Sequence, residues 1–475
     1  MMKRKIILLN LFAILLGGCC KNCIIHEKVN YPTSTRSGVK YIDNKADLSR
    51  VAWWKKLNDP ELNELISQAL ACNDSIRSSY ATIEQAQAQL KAAQYAWIPT
   101  LDATANGFTG RTWNTHITPR GQLANNSFFS NLSNLKFRGY YAGFVPGYTF
   151  NILNNINNIK AARASLAMEQ AQTQSVKLGI ISQMSGTYFM LLSQREQLAV
   201  EKALSSDLRK LRRLEQIRFR KGANDIEITT NLDQQIAQEE AKIPQIERVI
   251  AQSENTIHLL LNQNPGPIAT HRTLLSINLN HLIPKSLPSS VLKNRPDLMI
   301  ALNNLKMAQA QIGVAYSAFF PTIDLTGLVG GASVDLTNIL KLSTNIWVAR
   351  AAASTKIFNA STYQNIKSAK AGFKSIYYDY LETLHSVFAD VDDSLTNEQK
   401  NNLSYLQTQK AYLAAQKAYD IALAQYKAGA KDYRNVINAK INRDQSKLSL
   451  IQEKAQLLDS IVQVYNAVAG GYDAA

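Results

Sequence analysis

The 475-residue chain carries 52 Lys and Arg against 36 Asp and Glu, a formal charge of +16, with 46% hydrophobic and 19% charged residues. That apolar share excludes a disordered chain, which needs few apolar residues and dense charge, and 12 Pro with 21 Gly are too few for an all-β chain full of turns. No apolar run reaches the ~18 residues a bilayer-spanning helix needs, and three of the four cysteines crowd at 19, 20 and 23, leaving no spaced pairs for a disulfide framework.

Residues 1–18 read as a secretory signal. Lys3, Arg4 and Lys5 precede an apolar run from Ile6 to Leu16, broken only by Asn10, which suits a signal core. Leu16-Gly17-Gly18-Cys19 resembles the bacterial lipobox, so Cys19 is expected to carry diacylglycerol and an N-acyl chain after cleavage. Each acyl CH₂ buried in the membrane contributes about 0.8 kcal/mol. A plain signal peptide followed by incidental cysteines is the simpler alternative. Residue 20 is Cys, not the Asp that usually retains lipoproteins at the inner membrane, which points to the outer one. Cleavage removes three basic residues and leaves a charge of +13. Residues 19–52 read as a linker after the lipidated cysteine.

The rest of the chain repeats itself. Ala86 to Thr104 and Ala308 to Thr326 agree at ten of 19 positions at an offset of 222. Farther on, Asn158-Ile159-Lys160 matches Asn365-Ile366-Lys367, and Gly222-Ala223 with Asp225 matches Gly429-Ala430 with Asp432, both at an offset of 207. The order of elements therefore predicts an internal duplication, residues 53–275 and 276–475. The change of offset places about 15 extra residues of the first copy between Thr109 and Phe137.

Each copy reads helix, two strands, very long helix, turn, returning helix. Residues 60–97 are rich in helix formers and end before Pro99. Residues 158–221 and 361–428 lack proline, and Phe373, Ile376, Tyr380, Leu384, Val387 and Val391 form a helical stripe read as core. At 1.5 Å per residue these helices run on the order of 100 Å, far beyond a globular domain. They need neighbours packed side by side as coiled coil. Gly222 and Gly429 are expected to end them, with Asp225 and Asp432 capping returning helices over 226–262 and 433–468. Two shorter helices are expected to stack end to end beside each long one. Between them, 100–108, 139–150, 322–332 and 343–356 read as strands, Tyr140 to Phe150 alternating as in a tilted membrane β-strand. Four strands cannot close a barrel, and an open edge cannot face lipid, so several chains must share one.

Three stretches carry a family resemblance. Trp53-Trp54, Leu57 to Pro60 and Leu62 to Asn73 resemble the opening of TolC/OprM-like outer-membrane efflux channels. Arg295-Pro296-Asp297-Leu298, Ala308 to Gly313 and Phe319-Phe320-Pro321 resemble their most specific signature. Tyr426 to Gly429 with Val436, Ile437 and Ala439 is similar to their hairpin turn. With the lipobox, the chain resembles the lipoprotein, NodT-type branch from Trp53 to Tyr472.

The resemblance implies a mainly α protein with membrane β: a homotrimer with a shared twelve-stranded outer-membrane β-barrel and a twelve-helix α-barrel across the periplasm. It would be a passive duct for small molecules, lipid-anchored in a Gram-negative outer membrane and fed by a periplasmic membrane-fusion adaptor and an inner-membrane efflux pump. No cofactor and no enzymatic step are implied. The tips Gly222, Ala223, Asp225, Gly429, Ala430 and Asp432 would meet the adaptor. Asn435 and Asn438 stand where the family often places Asp at the pore constriction, which predicts weaker cation preference and weaker divalent-ion block. Leu302, Lys356 and Asn151 replace the family's usual Glu, Pro and Asp.

One charge cluster precedes the first tip: Arg209, Lys210, Arg212, Arg213, Arg218, Arg220 and Lys221, with Glu215 the sole acid among them. A solvated helix face is the plain reading; a docking surface for an acidic adaptor is the functional one, and it predicts salt-sensitive assembly. Trp53 and Trp54 read either as a membrane-interface pair or as packing. A nucleic-acid binder fits the basic charge but not the lipobox. An enzyme lacks support in the six histidines, which form no HExxH pair, and neither GxSxG nor a P-loop occurs. The remaining alternatives are a pore-less periplasmic coiled-coil scaffold lipoprotein and the exit duct of a type I protein secretion system.

Overall fold

The computed structural model describes residues 35, 36, 38, 40–42, 50–111, 136–279, 283, 286–288, 294–356 and 358–473. Cys19, the signal 1–18, most of the 19–52 linker and most of the insertion between Thr109 and Phe137 lie outside the described residues. In chain order the elements are β1 (Lys40–Ile42), α1 (Pro60–Cys72), α2 (Asp74–Tyr95), β2 (Thr100–Arg111), β3 (Lys136–Phe150), α3 (Ile152–Arg220) and α4 (Ile226–Leu260). Then follow β4 (Ser286–Pro288), α5 (Pro296–Ser317), β5 (Thr322–Ser333), β6 (Asn345–Ser354), α6 (Ala360–Lys427) and α7 (Tyr433–Ala467). The halves run in parallel: α3 has 69 residues and α6 68, while α4 and α7 have 35 each.

Helix α1 starts where the sequence stops it starting elsewhere. Asp59 accepts from the amides of Glu61 (3.0 Å) and Leu62 (3.2 Å), and Pro60 occupies the first helical position, where its missing N–H costs nothing. The single helix expected over 60–97 is in fact two. Asn73 turns extended (ψ 129°) and its Oδ1 accepts from the amides of Ser75 (2.9 Å) and Ile76 (3.3 Å), so a side chain that competes with the helix ladder both ends α1 and caps α2.

That same asparagine joins the shorter helices. Its Nδ2 donates to the Leu260 carbonyl (3.0 Å) at the end of α4. In the second half, Arg295 donates to the Ala467 carbonyl (2.8 Å), joining the end of α7 to the start of α5. The shorter helices thus meet end to end beside the long ones, as the lengths implied. Helix α3 packs against α1, α2, α4, α5 and α7, and α6 packs against α5 and α7. Pro244 lies inside α4, which continues through it.

The core lies mid-length, around α3 and α7. Trp53 is 1% exposed and stacks flat on Tyr465, ring centroids 4.9 Å apart at 7°. Trp54 is buried as well, so the pair is packing and not a membrane-interface anchor. Tyr188 donates to Asp59 (3.0 Å), linking α3 to the cap of α1. Of the α6 stripe, Leu384, Val387 and Val391 are buried, while Phe373, Ile376 and Tyr380 nearer the sheet are only half-buried.

The four expected strands form one antiparallel sheet ordered β2-β3-β5-β6; β1 and β4 pair separately and in parallel. Register sorts the side chains onto two faces, because cross-strand partners point the same way. Thr100, Gly147, Thr326 and Arg350 form one rung, and Thr149 with Asp324 the next. On the opposite face Ala103, Phe144, Val329 and Trp347 align, with Leu101, Tyr148 and Leu325 nearby. Toward the helices the first face is polar and the second apolar; toward the far end the first carries Phe108, Tyr141, Leu328 and Ile346. Sequence alternation thus becomes a two-sided sheet whose outer edges, β2 and β6, have no further strand partner among the described residues.

Asn151 ties this sheet to the helices. Its Oδ1 accepts from the Asn154 amide (3.0 Å), capping α3, while its Nδ2 donates to the carbonyls of Ser317 (2.9 Å), the last residue of α5, and of Phe320 (3.1 Å) just beyond it. A carboxylate could do the first but not the second. Asn151→Asp should therefore lower stability by about 1–3 kcal/mol, read as a drop in thermal midpoint, even though an anion suits a helix N-terminus.

Candidate functional site

The long helices end in two copies of one turn. Gly222 has φ +69° and Gly429 φ +73°, a conformation that suits glycine. The Ala223 amide reaches back to the Arg218 carbonyl and the Ala430 amide to that of Gln425, both at 2.9 Å, which satisfies carbonyls the helix leaves bare. The returning helices differ in their starts. Asp432 caps α7 by accepting from the Arg434 amide (3.2 Å). Asp225 stands at the same position before α4 but makes no side-chain capping bond, contrary to expectation.

The basic cluster divides into two groups. Arg209 pairs with Glu240 (2.6 Å), and Arg212 holds Asp233 through Nε and Nη2, both at 3.0 Å, so α4 neutralises these cations. Arg218 lies near Glu215 (3.7 Å) and Asp432 (3.3 Å). Arg213 and Arg220 are exposed, with no ion pair or hydrogen bond among the described residues. Asn435 is half-buried and Asn438 exposed on the first turns of α7, and neither side-chain amide is bonded among the described residues.

The sequence reading missed a set of ion pairs that fasten the first helix hairpin to the second. Asp207 of α3, its side chain 3% exposed, pairs with Lys440 of α7 at 2.6 Å and with Lys210 at 3.0 Å. Glu215, 2% exposed, receives Arg434 of α7 at 3.4 Å and Asn224 at 2.6 Å. Arg218 to Asp432 makes a third tie. Burial pushes the Asp207 carboxyl up, but Lys440 and Lys210 outweigh it and hold it below the usual carboxylate range.

A signal for these ties existed at the 207 offset. Arg434 and Lys440 stand where the first copy has Glu227 and Asp233. The charge reverses because both returning helices flank α3: α4 offers acids to its arginines, and α7 offers bases to its acids.

Farther up α3, Glu201 is 4% exposed beside Glu239 and Lys242 of α4. Burial pushes its carboxyl up to about 7; Lys242 opposes the rise and Glu239 adds to it. A polar cavity of about 470 Å³ opens there between α3, α4 and α7, with Gln197, Gln245 and Gln452 among its walls.

The arrangement is a two-faced sheet whose outer strands have no further partner among the described residues, rods of about 100 Å, and matched turns at their far end. Among the described residues no helix is long and apolar enough to cross a membrane, a finding silent about the sheet.

The profile of the outer membrane efflux protein family matches residues 65–263 and 287–470. Among characterised relatives, the solvent efflux pump outer membrane protein SrpC of Pseudomonas putida is 28% identical over 341 residues, 71% of this chain and 70% of that protein. The cation efflux system protein CusC of Escherichia coli K12 is 26% identical over 364 residues, 76% of each chain. Among solved structures, the Campylobacter jejuni CmeC outer membrane channel superposes with a TM-score of 0.79 at 22% identity, covering 95% of both chains. The open state of the Neisseria gonorrhoeae MtrE outer membrane channel gives 0.78 at 23% identity, over 96% of this chain and 99% of that one. At these identities the structural likenesses establish the fold.

Proposed function

The chain belongs to the outer membrane efflux protein family, and from that premise we propose that three copies of it form the passive exit duct of a tripartite efflux system for small molecules. The single observation carrying this reading is the sheet, whose two faces are separated by register and whose two edges have no further strand partner among the described residues. An unpaired edge cannot face hydrocarbon, since each bare N–H and C=O costs several kcal/mol there. Three four-stranded sheets joined edge to edge close into twelve strands, with Asp102, Asp324 and Arg350 facing inward and Phe144, Val329 and Trp347 facing lipid. The long helices then continue the wall into the periplasm. Residues 53–275 and 276–475 are the two copies of a duplicated unit, and Cys19 carries the lipid anchor.

The turns at Gly222, Ala223, Asp225, Gly429, Ala430 and Asp432 are the end offered to a periplasmic adaptor and, through it, to an inner-membrane pump. Arg213 and Arg220 are the part of the basic cluster left available to an acidic partner. Asn435 and Asn438, on the first turns of α7, line the narrow mouth. Without a charge they bind passing cations weakly.

Planar-bilayer recordings of the mature protein test this. Discrete openings are expected, and Asn435→Asp/Asn438→Asp should raise cation preference and sensitivity to divalent-ion block. Recordings that stay silent even when the turns are loosened by substitution would replace the duct with the pore-less scaffold.

A further inference from the structure

The β5–β6 connection, residues 334–344, carries exposed apolar side chains at the end of the sheet remote from the helices. Leu340 is 89% exposed and Leu336 62%. Such exposure asks for a partner, and the side of the sheet on which the loop lies identifies its kind.

Two contacts place the loop on the apolar face. Gly331 pairs with Ala142 and with Asn345, two residues along from Phe144, Val329 and Trp347 on that same face. A Cβ on Gly331 would collide with the Ile339 carbonyl oxygen, so the loop backbone rests where a side chain of that face would stand. Arg138, also on that face by its alternation with Tyr140 and Ala142, pairs with Asp335 at 2.6 Å and pins the start of the loop. The loop is also a built object. The Thr344 hydroxyl lies within hydrogen-bond reach of the carbonyls of Asn338 (3.0 Å), Ile339 (3.3 Å) and Lys341 (2.7 Å), and short turns link Leu336 to Ile339 and Lys341 to Thr344. A cavity of about 420 Å³ also opens at this end of the sheet, lined by Phe108, Tyr141, Leu328 and Ile346 together with Arg138 and the loop's own Val334.

We propose that the β5–β6 loop is a lipid-contacting paddle, which lays Leu336 and Leu340 into the outer leaflet beside the barrel and holds Lys341 at the level of phosphate-bearing headgroups. This rests on the reading of the sheet as the membrane wall. The occupant follows from continuity and charge. The loop extends the apolar face that meets lipid, and a fully exposed Leu340 next to an exposed Lys341 is the pairing of an apolar body with a cation that interfacial segments use. A loop serving as a lid over the pore would instead lie across the polar face.

The test uses the full-length mature trimer with Cys20, Cys23 and Cys72 replaced by Ser. Single cysteines are introduced as Leu340→Cys, Leu336→Cys, Phe144→Cys and Thr326→Cys and labelled with an environment-sensitive fluorophore. The proteins are reconstituted into phosphatidylcholine–phosphatidylglycerol vesicles whose acyl chains carry spin labels near the headgroup. Labels at positions 340, 336 and 144 should lose most of their emission, and the label at 326 should not. Adding Lys341→Glu should weaken the loss at 340 in these anionic vesicles but not in pure phosphatidylcholine. Quenching at 144 without quenching at 340 and 336 would overturn the paddle and leave the duct intact. Self-quenching at 340 that disappears on mixing with unlabelled chains would give the loop to a neighbouring copy and equally overturn it. No quenching at 144 would remove the membrane sheet itself, and the paddle with it.

Discussion

Lys440→Met/Arg434→Gln is expected to free the first helix hairpin from the second at the turn end, lowering local stability there by about 2–4 kcal/mol. The size follows from which partner is left behind. Asp207 and Glu215 are 3% and 2% exposed, so removing their bases strands two buried carboxylates, each keeping one weaker cation, Lys210 or Arg218. Removing the acids instead should matter less, about 1–2 kcal/mol for Asp207→Asn/Glu215→Gln. Lys440 and Arg434 are already 30% and 39% exposed and can turn to water. Hydrogen exchange over 207–225 and 432–441 reads both variants, since local opening sets its rate. Equal acceleration in the two, or more in the acid-lacking one, would refute this ordering. The pH dependence has a definite sign. The folded Asp207 carboxyl sits below its ordinary value, so its contribution is full above the unfolded value near ~3.9 and fades as pH falls through the folded one. Wild type and base-lacking variant should differ at pH 7 and converge in acid. With the mouth placed at these turns as proposed above, single-channel conductance should rise together with exchange.

Much of this architecture was legible because its signals are long and repeated. Helices of 69 and 68 residues leave a proline-free, caps-bounded signature that no short-range accident imitates. The strands were weaker one by one, but β2 with β3 and β5 with β6 come in pairs, and the sequence match at an offset of 222 pointed to both places. What the sequence hid were effects of single side chains acting on tertiary partners. Asn73 reads as one polar residue in a good helix; its cap on the Ser75 and Ile76 amides breaks the helix there, and its bond to the Leu260 carbonyl fixes the break against α4. Asp225 and Asp432 read alike, yet Asp432 is drawn to Arg218 and caps α7, while Asp225 caps nothing. The basic cluster looked like free charge because its acids, Asp233 and Glu240, lie a hairpin away. The ties between hairpins were the most readable of the missed features. The reversal from Asp233 to Lys440 between copies signals that two returning helices meet one long helix from opposite sides.

A second large effect is expected at Lys454, where a buried amine should make the protein more stable as the solution becomes more alkaline. Lys454 is 2% exposed, and its Nζ donates to the carbonyls of Leu275 and Ile277, each at 2.8 Å, clasping α7 to the segment between the two halves. Glu196 of α3 accepts the Leu275 amide (3.3 Å) from the other side. Burial pushes the amine down to about 8, with Glu196 opposing the shift too weakly to cancel it. Below that value both folded and unfolded chains hold the proton, and the folded state bears the full cost of a buried charge. Between about 8 and the ordinary lysine value near ~10.4, the unfolded chain binds more protons, so stability rises with pH, by about 3 kcal/mol over the window. The neutral amine still has hydrogens for both carbonyls, so the clasp survives deprotonation. Lys454→Met removes the buried charge but leaves two carbonyls bare, at about 1–3 kcal/mol each. At pH 7 these changes partly offset, and the variant should lie close to wild type; at pH 9.5 most of the charge cost is gone and the loss dominates. Urea unfolding midpoints of both proteins in detergent at the two pH values measure this. A gap that stays constant between pH 7 and 9.5 would mean that Lys454 does not titrate in this window, and that its clasp is an ordinary pair of hydrogen bonds made by a permanently charged amine.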